Sequence, residues 1–360
     1  MRYIPYRSYY EQNCPDQFLP GRQNLTNSEV TFMRKCLVLA ILALMCLSCD
    51  DKSGQKVIVL KLGHGLDNKH PVHKAMEFMA DRVEEKSGGT LRVEIFPSEQ
   101  LGNEKECIEA LQLGYLAMTK TSSAVMEAFV PKIKVFGLPY LFRDSEHFWN
   151  VCLGPIGEEL LDAGSKTKGL KGLCYYDSGA RSFYAKKPIR TPADLNKDGN
   201  KLKVRVMNSP MAIKMVSTMG ASPTPIAWGE LYTSLDAGVV DAAENNPPSF
   251  QLSGHYEICK YYTLDEHVRV PDMLVISTRV WEKLSDKHKK ILKEAVYESV
   301  KEQRKLWEKA EAHALDVVQK AGVEVIRPDK TPFQQAVKPI WDEYKGTELG
   351  ELADKIKEIK

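Results

Sequence analysis

The sequence predicts an α/β protein of two lobes, with a cleft between them and one long helix bridging both. Three observations predict it. Strand and helix signals alternate along the chain, the pattern of mostly parallel sheets covered by helices. The 312 residues from Cys49 onward are more than one lobe of ordinary size needs. Residues 285–322 read as a single helix longer than one lobe is wide.

Taken in order, 57–63 reads as a strand, 71–85 as an amphipathic helix, 91–96 as a strand and 103–113 as a helix. A helix–turn–strand pattern then recurs as far as 173–176. The second lobe begins near Asp177-Ser178-Gly179. It takes in strands at 183–185 and 202–207, helices at 209–219 and 228–237, and a strand at 239–243. The expected division is 56–178 plus 271–310 in the first lobe and 179–270 plus 311–360 in the second.

The long helix has its own punctuation. Ser285 is a good N-cap and Gly322 stands where a C′ glycine belongs. Between them Leu292, Val296, Ser299, Val300, Gln303, Leu306, Trp307, Ala310, Ala314, Val317, Val318 and Ala321 recur every three to four residues, with no proline. Such a helix is on the order of 50 Å long. Its seam mixes alanine, tryptophan and glutamine, which disfavours a coiled coil.

The N-terminus reads as an export signal. From Met33 the chain runs Arg34-Lys35, then twelve largely apolar residues from Cys36 to Leu47, then Ser48-Cys49. Twelve residues are too few to span a bilayer. The arrangement, 33–48 before a cysteine, looks like a bacterial lipoprotein signal, with Cys49 as the lipidated residue and 49–55 as a tether. Residues 1–32 fit no export signal and read as an over-extended start. The expected location is the periplasm, held to a membrane by an acyl anchor.

From Cys49 onward 45 Lys/Arg face 45 Asp/Glu, a neutral balance that argues against a nucleic-acid partner. Cys107, Cys152, Cys174 and Cys259 are widely spaced; they could pair or stay as buried thiols.

The most informative residues lie between 203 and 248. In KVRVMNSP (203–210), Arg205 interrupts a valine strand, with Lys203 on the same face. A guanidinium there is costly to desolvate unless it meets a planar anion, which it can grip with two parallel hydrogen bonds. A structural carboxylate would serve equally. Asn208, Trp228 and Asn245 add two amides and an aromatic wall, the parts of a pocket for a small organic acid.

In order and interval these residues resemble the binding residues of TRAP-transporter substrate-binding proteins, the DctP-like family that binds dicarboxylates, sialic acid and uronates. The resemblance runs from about 59 to 337. It includes FPSEQLGNEKECIEALQLGYLAM (96–118), VFGLPYLFRD (135–144), DSGARSFYAKKPIRTPADL (177–195) and the KVRV and AENN motifs. It implies the fold of a two-lobed periplasmic binding protein with a ligand cleft, in which Arg205 grips the ligand carboxylate. It also implies that Arg181 assists, that Asn208 and Asn245 donate, and that Trp228 forms a wall. Glu244 is read as orienting an arginine. On the first lobe, His64 after the first strand and Ser122 in TKTSS (119–123) are expected to face the ligand. The sialic-acid branch carries Glu and Arg where this chain has Ser122 and Val125, which disfavours sialic acid. The expected ligand is a uronate such as glucuronate or galacturonate, with C4 dicarboxylates and other sugar acids as alternatives. The implied partners are the small and large membrane subunits of an ion-gradient-driven transporter, the receptor itself being a monomer without a cofactor.

Two rival classes were weighed. A periplasmic enzyme lacks support, since no complete nucleophile, zinc-protease or phosphate-loop motif occurs. A metal-binding protein could use His64, His70 and His73, but there is no fourth ligand nearby. His70-Pro71 reads better as a helix entry with proline at N1.

Overall fold

In the computed structural model, which describes residues 57–360, the alternating signals resolve into two large separate sheets, with a two-stranded ribbon at Asn196–Lys197 and Asn200–Lys201 besides. The first has the order Leu91–Phe96, Ile58–Gly63, Met118–Ser122, Asp272–Ser277, Leu170–Tyr176. The second has the order Glu324–Ile326, Tyr261–Val268, Arg181–Ala185, Ala242–Asn245, Lys203–Val206, Ser222–Pro225. The export signal, its tether and Cys49 lie outside the described residues.

Both sheets are mixed, where a mostly parallel arrangement was expected. In the first, Asp272–Ser277 runs antiparallel to both neighbours; in the second, Arg181–Ala185 does. Connectivity is the reason. The chain passes from Tyr176 to Arg181 into the second sheet and returns from Val268 to Asp272. Each entering strand starts at the cleft, whereas the strands reached through helices end there. The two crossings lie side by side, because Tyr176 pairs with Asp272 and Arg181 with Val268.

The long helix, Asp286–Lys320, is capped by Ser285, whose hydroxyl accepts from the His288 N–H at 3.2 Å. It ends where Gly322 takes φ +86°, a conformation that favours glycine. Glu298 ties it to Arg82 of the first lobe's helix Pro71–Ser87, and Ser299 meets the Tyr176 hydroxyl at 2.8 Å. Further on, Val318 enters the second core with Tyr184, Leu235 and Tyr262. The helix therefore spans both sheets.

Midway, Gln303 grips the first crossing. Its carbonyl oxygen accepts from the Asp177 N–H (2.8 Å) and its amide donates to the Asp177 carbonyl (2.9 Å). At Gly179 (φ +59°) a side chain would lie 3.1 Å from the Trp307 ring, so the crossing fits against the helix only as glycine. Gln303→Ala should strand two buried backbone groups and lower stability by about 2 kcal/mol, read from urea denaturation. A loss below about 0.5 kcal/mol would show that water replaces the amide.

The C-terminal helix Glu348–Glu358 corrects the expected division, which placed all of 311–360 in the second lobe. It packs on the first lobe. Its last carbonyls need donors, and segment 143–150 supplies them: His147 meets Ile356 O at 2.9 Å, Arg143 donates to Lys357 O and Ile359 O, and Asn150 to Lys360 O. Among the described residues no helix is long and apolar enough to cross a membrane. Cys107, Cys152, Cys174 and Cys259 are free and buried, and burial raises their thiol pKa values.

Candidate functional site

The regular strands of both sheets point their C-terminal ends at one cleft, the usual ligand position in open α/β sheets. Strand ends and the loops after them line it. From the first lobe come Gly65, Leu66, Glu104, Lys120, Ser122 and Asp272; from the crossing and the second lobe come Ser178, Arg181, Arg205, Met207, Trp228, Asn245, Asn246 and Ser249. The enclosed space with its mouth is about 470 Å³.

Arg205 sits on Lys203–Val206 with 3 % of its surface exposed. Its Nε donates to the Ile226 carbonyl at 2.9 Å, and its guanidinium lies 5.9 Å from the Trp228 ring centre. Nη1 is buried without a hydrogen-bond partner among the described residues, and no carboxylate pairs with it there. Burial lowers its pKa, although an arginine so placed stays charged. An unpaired buried cation is an expensive feature to keep. Its free N–H groups face the cleft-lining residues, where an anion could meet them.

Arg181 is the contrast. It donates from Nε and Nη2 to the Glu244 carboxylate, from Nη2 to the Glu244 carbonyl (2.8 Å), and from Nη1 to Asn245 Oδ1 (2.8 Å). Behind Glu244 stands His267 at 3.6 Å, whose other ring nitrogen meets Asp265 at 2.8 Å. The buried chain Asp265–His267–Glu244–Arg181 alternates in sign, so each charge is compensated. Glu244 does not line the cleft; it holds Arg181, which holds Asn245. Neither Asp265 nor His267 was legible in the sequence, since only the pairing of the 261–268 strand with 181–185 brings them to Glu244.

The facing wall holds an ion cluster that sequence reasoning missed. Lys120 Nζ lies 3.2 Å from Glu104 Oε1 and 3.3 Å from Asp272 Oδ1. Burial opposes the Lys120 charge, but Asp272 and Glu104 outweigh it and raise its pKa. A lysine in TKTSS beside polar neighbours gave no sign of burial, and Asp272 arrives from 150 residues further on.

Three expected ligand contacts lie elsewhere or play another part. His64 is buried behind the cleft, with Gly65 and Leu66 lining it instead. Its Nδ1 accepts from the Leu66 N–H (3.1 Å), Nε2 faces His73 Nδ1 (2.9 Å), and His73 Nε2 faces Glu77 (3.1 Å). This chain uses both nitrogens of both rings. His70 caps the helix Pro71–Ser87 through Val72 N and meets Ser249 Oγ at 3.3 Å. Among the described residues no group of three or more His, Cys, Asp or Glu is arranged for a metal ion. Asn208 is exposed and lines an adjoining outer pocket shared by Arg205, Glu104 and Trp228. Ser122 does line the cleft, but its hydroxyl already accepts from the Ala124 N–H at 3.3 Å.

The buried histidines contribute to the pH dependence of stability around neutrality. Burial lowers His64 to about 2, His70 to about 3 and His255 to about 3, with nearby cations adding to it. Burial also opposes the His267 charge, but Asp265 and Glu244 lift it to about 9. Below pH 6.5 the unfolded chain takes up three protons that the native state refuses. Above it the native state keeps one proton, on His267, that the unfolded chain has lost. Each group contributes up to about 1.4 kcal/mol per pH unit. On these four groups stability should therefore peak at about pH 7, a little above the ordinary histidine value because three groups act on the acid side and one on the other, and the acid limb should be the steeper. Urea midpoints from pH 5 to 9 test this, and a peak above pH 8 would contradict it.

A two-sheet cleft floored by a buried, unpaired guanidinium defines a class of protein: a binding protein for a small anion. Residues 62–347 match the family model of bacterial extracellular solute-binding protein, family 7 (DctP). The chain is 40% identical over 309 residues to the uncharacterized protein YiiZ of Salmonella typhimurium, covering 85% of this chain and 92% of that one. A TRAP periplasmic solute-binding protein from Xanthobacter autotrophicus with bound β-D-galacturonate superposes with a TM-score of 0.80 at 38% identity, over 84% of this chain and 100% of that one. Another from Pseudomonas putida with bound D-glucuronate gives 0.81 at 34% identity, over 84% and 98%. The chain belongs to this family of TRAP-type solute-binding proteins. Its members are extracytoplasmic receptors that bind small organic acids and work with membrane subunits.

Proposed function

We propose that this chain is a uronate receptor that closes on glucuronate or galacturonate and delivers it to a TRAP-type transporter. The observation that carries the reading is Arg205, buried in the cleft with no carboxylate paired to it among the described residues. A ligand carboxylate supplies the missing partner. Trp228 offers a flat apolar face to a sugar ring, and Arg181 and Asn245 extend the polar wall. The bound uronates of the related structures support the same ligand class.

Closure follows from differential contacts. The ligand favours the closed form only as far as it binds both walls, and a nearly complete shift takes about 5.5 kcal/mol. Charge-assisted hydrogen bonds of about 1.5–3 kcal/mol each reach that with roughly two to four contacts. The protein acts as a monomeric carrier without catalysis or a cofactor, tethered by a lipid on Cys49, and hands its ligand to the small and large membrane subunits.

A thermal-shift screen with glucuronate, galacturonate, aldonates, C4 dicarboxylates and amino acids tests the reading, followed by calorimetry. Uronates should raise the melting temperature most; if no acid raises it, the receptor reading fails. Trp228→Ala should weaken uronate binding about tenfold while the carboxylate requirement persists.

A further inference from the structure

The two walls of the cleft differ in sign. On the second lobe, Glu244 compensates Arg181, and Arg205 is a cleft cation without a carboxylate partner among the described residues. On the first, one ammonium, Lys120, stands between two carboxylates, Glu104 and Asp272. Lys120 and the Ser122 N–H engage Glu104 Oε1 and, for Lys120 alone, Asp272 Oδ1. Glu104 Oε2 and Asp272 Oδ2 receive no hydrogen bond among the described residues, and both side chains line the cleft. The wall opposite Arg205 is therefore net negative and carries two free acceptor oxygens, with one N–H of Lys120 left to donate.

We infer that Glu104 and Asp272 are specificity-determining residues that restrict the cleft to hydroxylated monoacids and reject diacids. This deepens the receptor reading and rests on it. A hydroxyl at the far end of the ligand can donate to either free oxygen and accept from Lys120. A second carboxylate there has no proton to donate and meets two like charges in a buried site, and such juxtaposition is strongly disfavoured. Attraction at Arg205 selects an acid; repulsion at Glu104 and Asp272 selects against a second acid group. The pair thus separates sugar acids from C4 dicarboxylates, which Arg205 alone cannot do.

The test pairs each monoacid with the diacid made by oxidising its other end: glucuronate with glucarate, galacturonate with galactarate, and erythronate with meso-tartrate. Calorimetry at pH 7.5 on the wild-type protein should find the tightest monoacid bound at least about a hundredfold better than its diacid. Glu104→Gln and Asp272→Asn, each checked for an unchanged fold by circular dichroism, should narrow that ratio about tenfold or more. If a monoacid binds but its diacid binds equally well, or both variants keep the wild-type ratio, the inference is overturned and the receptor reading stands. If no member of any pair binds, the receptor reading itself has failed.

Discussion

Arg205→Lys is expected to weaken acid binding about a hundredfold by calorimetry while the protein stays folded. Lysine keeps the charge but cannot hold Ile226 O through Nε while presenting two parallel N–H groups to a carboxylate. Losing one charge-assisted bond and the planar fit should cost about 3 kcal/mol, roughly a hundredfold in affinity. Arg205→Met sharpens the result. It removes a buried charge with no carboxylate partner among the described residues, so, apart from the one hydrogen bond lost at Ile226 O, the ligand-free protein should melt close to wild type and show no shift with uronate. A large fall in melting temperature would mean that Arg205 has a structural partner, and that the free guanidinium is not the binding element.

Glu244→Gln should do the reverse, destabilising the protein before any ligand is added. Glu244 is buried between Arg181 and His267. Burial works against its charge, but Arg181 foremost and His267 hold its pKa down to about 2. Its contribution is therefore present above the unfolded carboxyl range and lost only as pH falls through about 2. Removing one member of a buried ion network leaves the others uncompensated, at about 3–5 kcal/mol. Urea denaturation at pH 7 measures it. A loss under 1 kcal/mol would show that Asp265 alone can balance the cluster. The pair of predictions separates two arginines that look alike in sequence: Arg181 is paired with Glu244, whereas Arg205 has no carboxylate partner among the described residues.

Much of the fold was legible because local physics decided it. Ser285 and Gly322 bracket the long helix, and a three-to-four period of apolar residues sets the face it buries. Strand 58–63, helix 71–87 and strand 91–96 follow in the same way from periodicity and from His70-Pro71 at a helix start. The strands Tyr261–Val268 and Asp272–Ser277 were not assigned. They are where the chain crosses back between sheets, and polar residues such as Asp265, His267 and Asp272 interrupt their apolar pattern because each has a partner elsewhere.

The site divides along the same line. The sequence by itself determined that Arg205 stands in a valine strand, with Trp228 and Asn245 at fixed distances behind it, because each is carried by one short element. Only the tertiary structure decided which charges are free. Whether a buried cation is paired depends on strands that meet from distant parts of the chain: Glu244 beside Arg181, Asp272 beside Lys120, and, among the described residues, no carboxylate paired with Arg205. It likewise turned His64 away from the cleft, since its ring nitrogens are taken by Leu66 and His73. Residue type is a local property, but compensation of charge is a property of what folding brings within about 4 Å, where Coulomb energies and desolvation are large enough to decide the outcome.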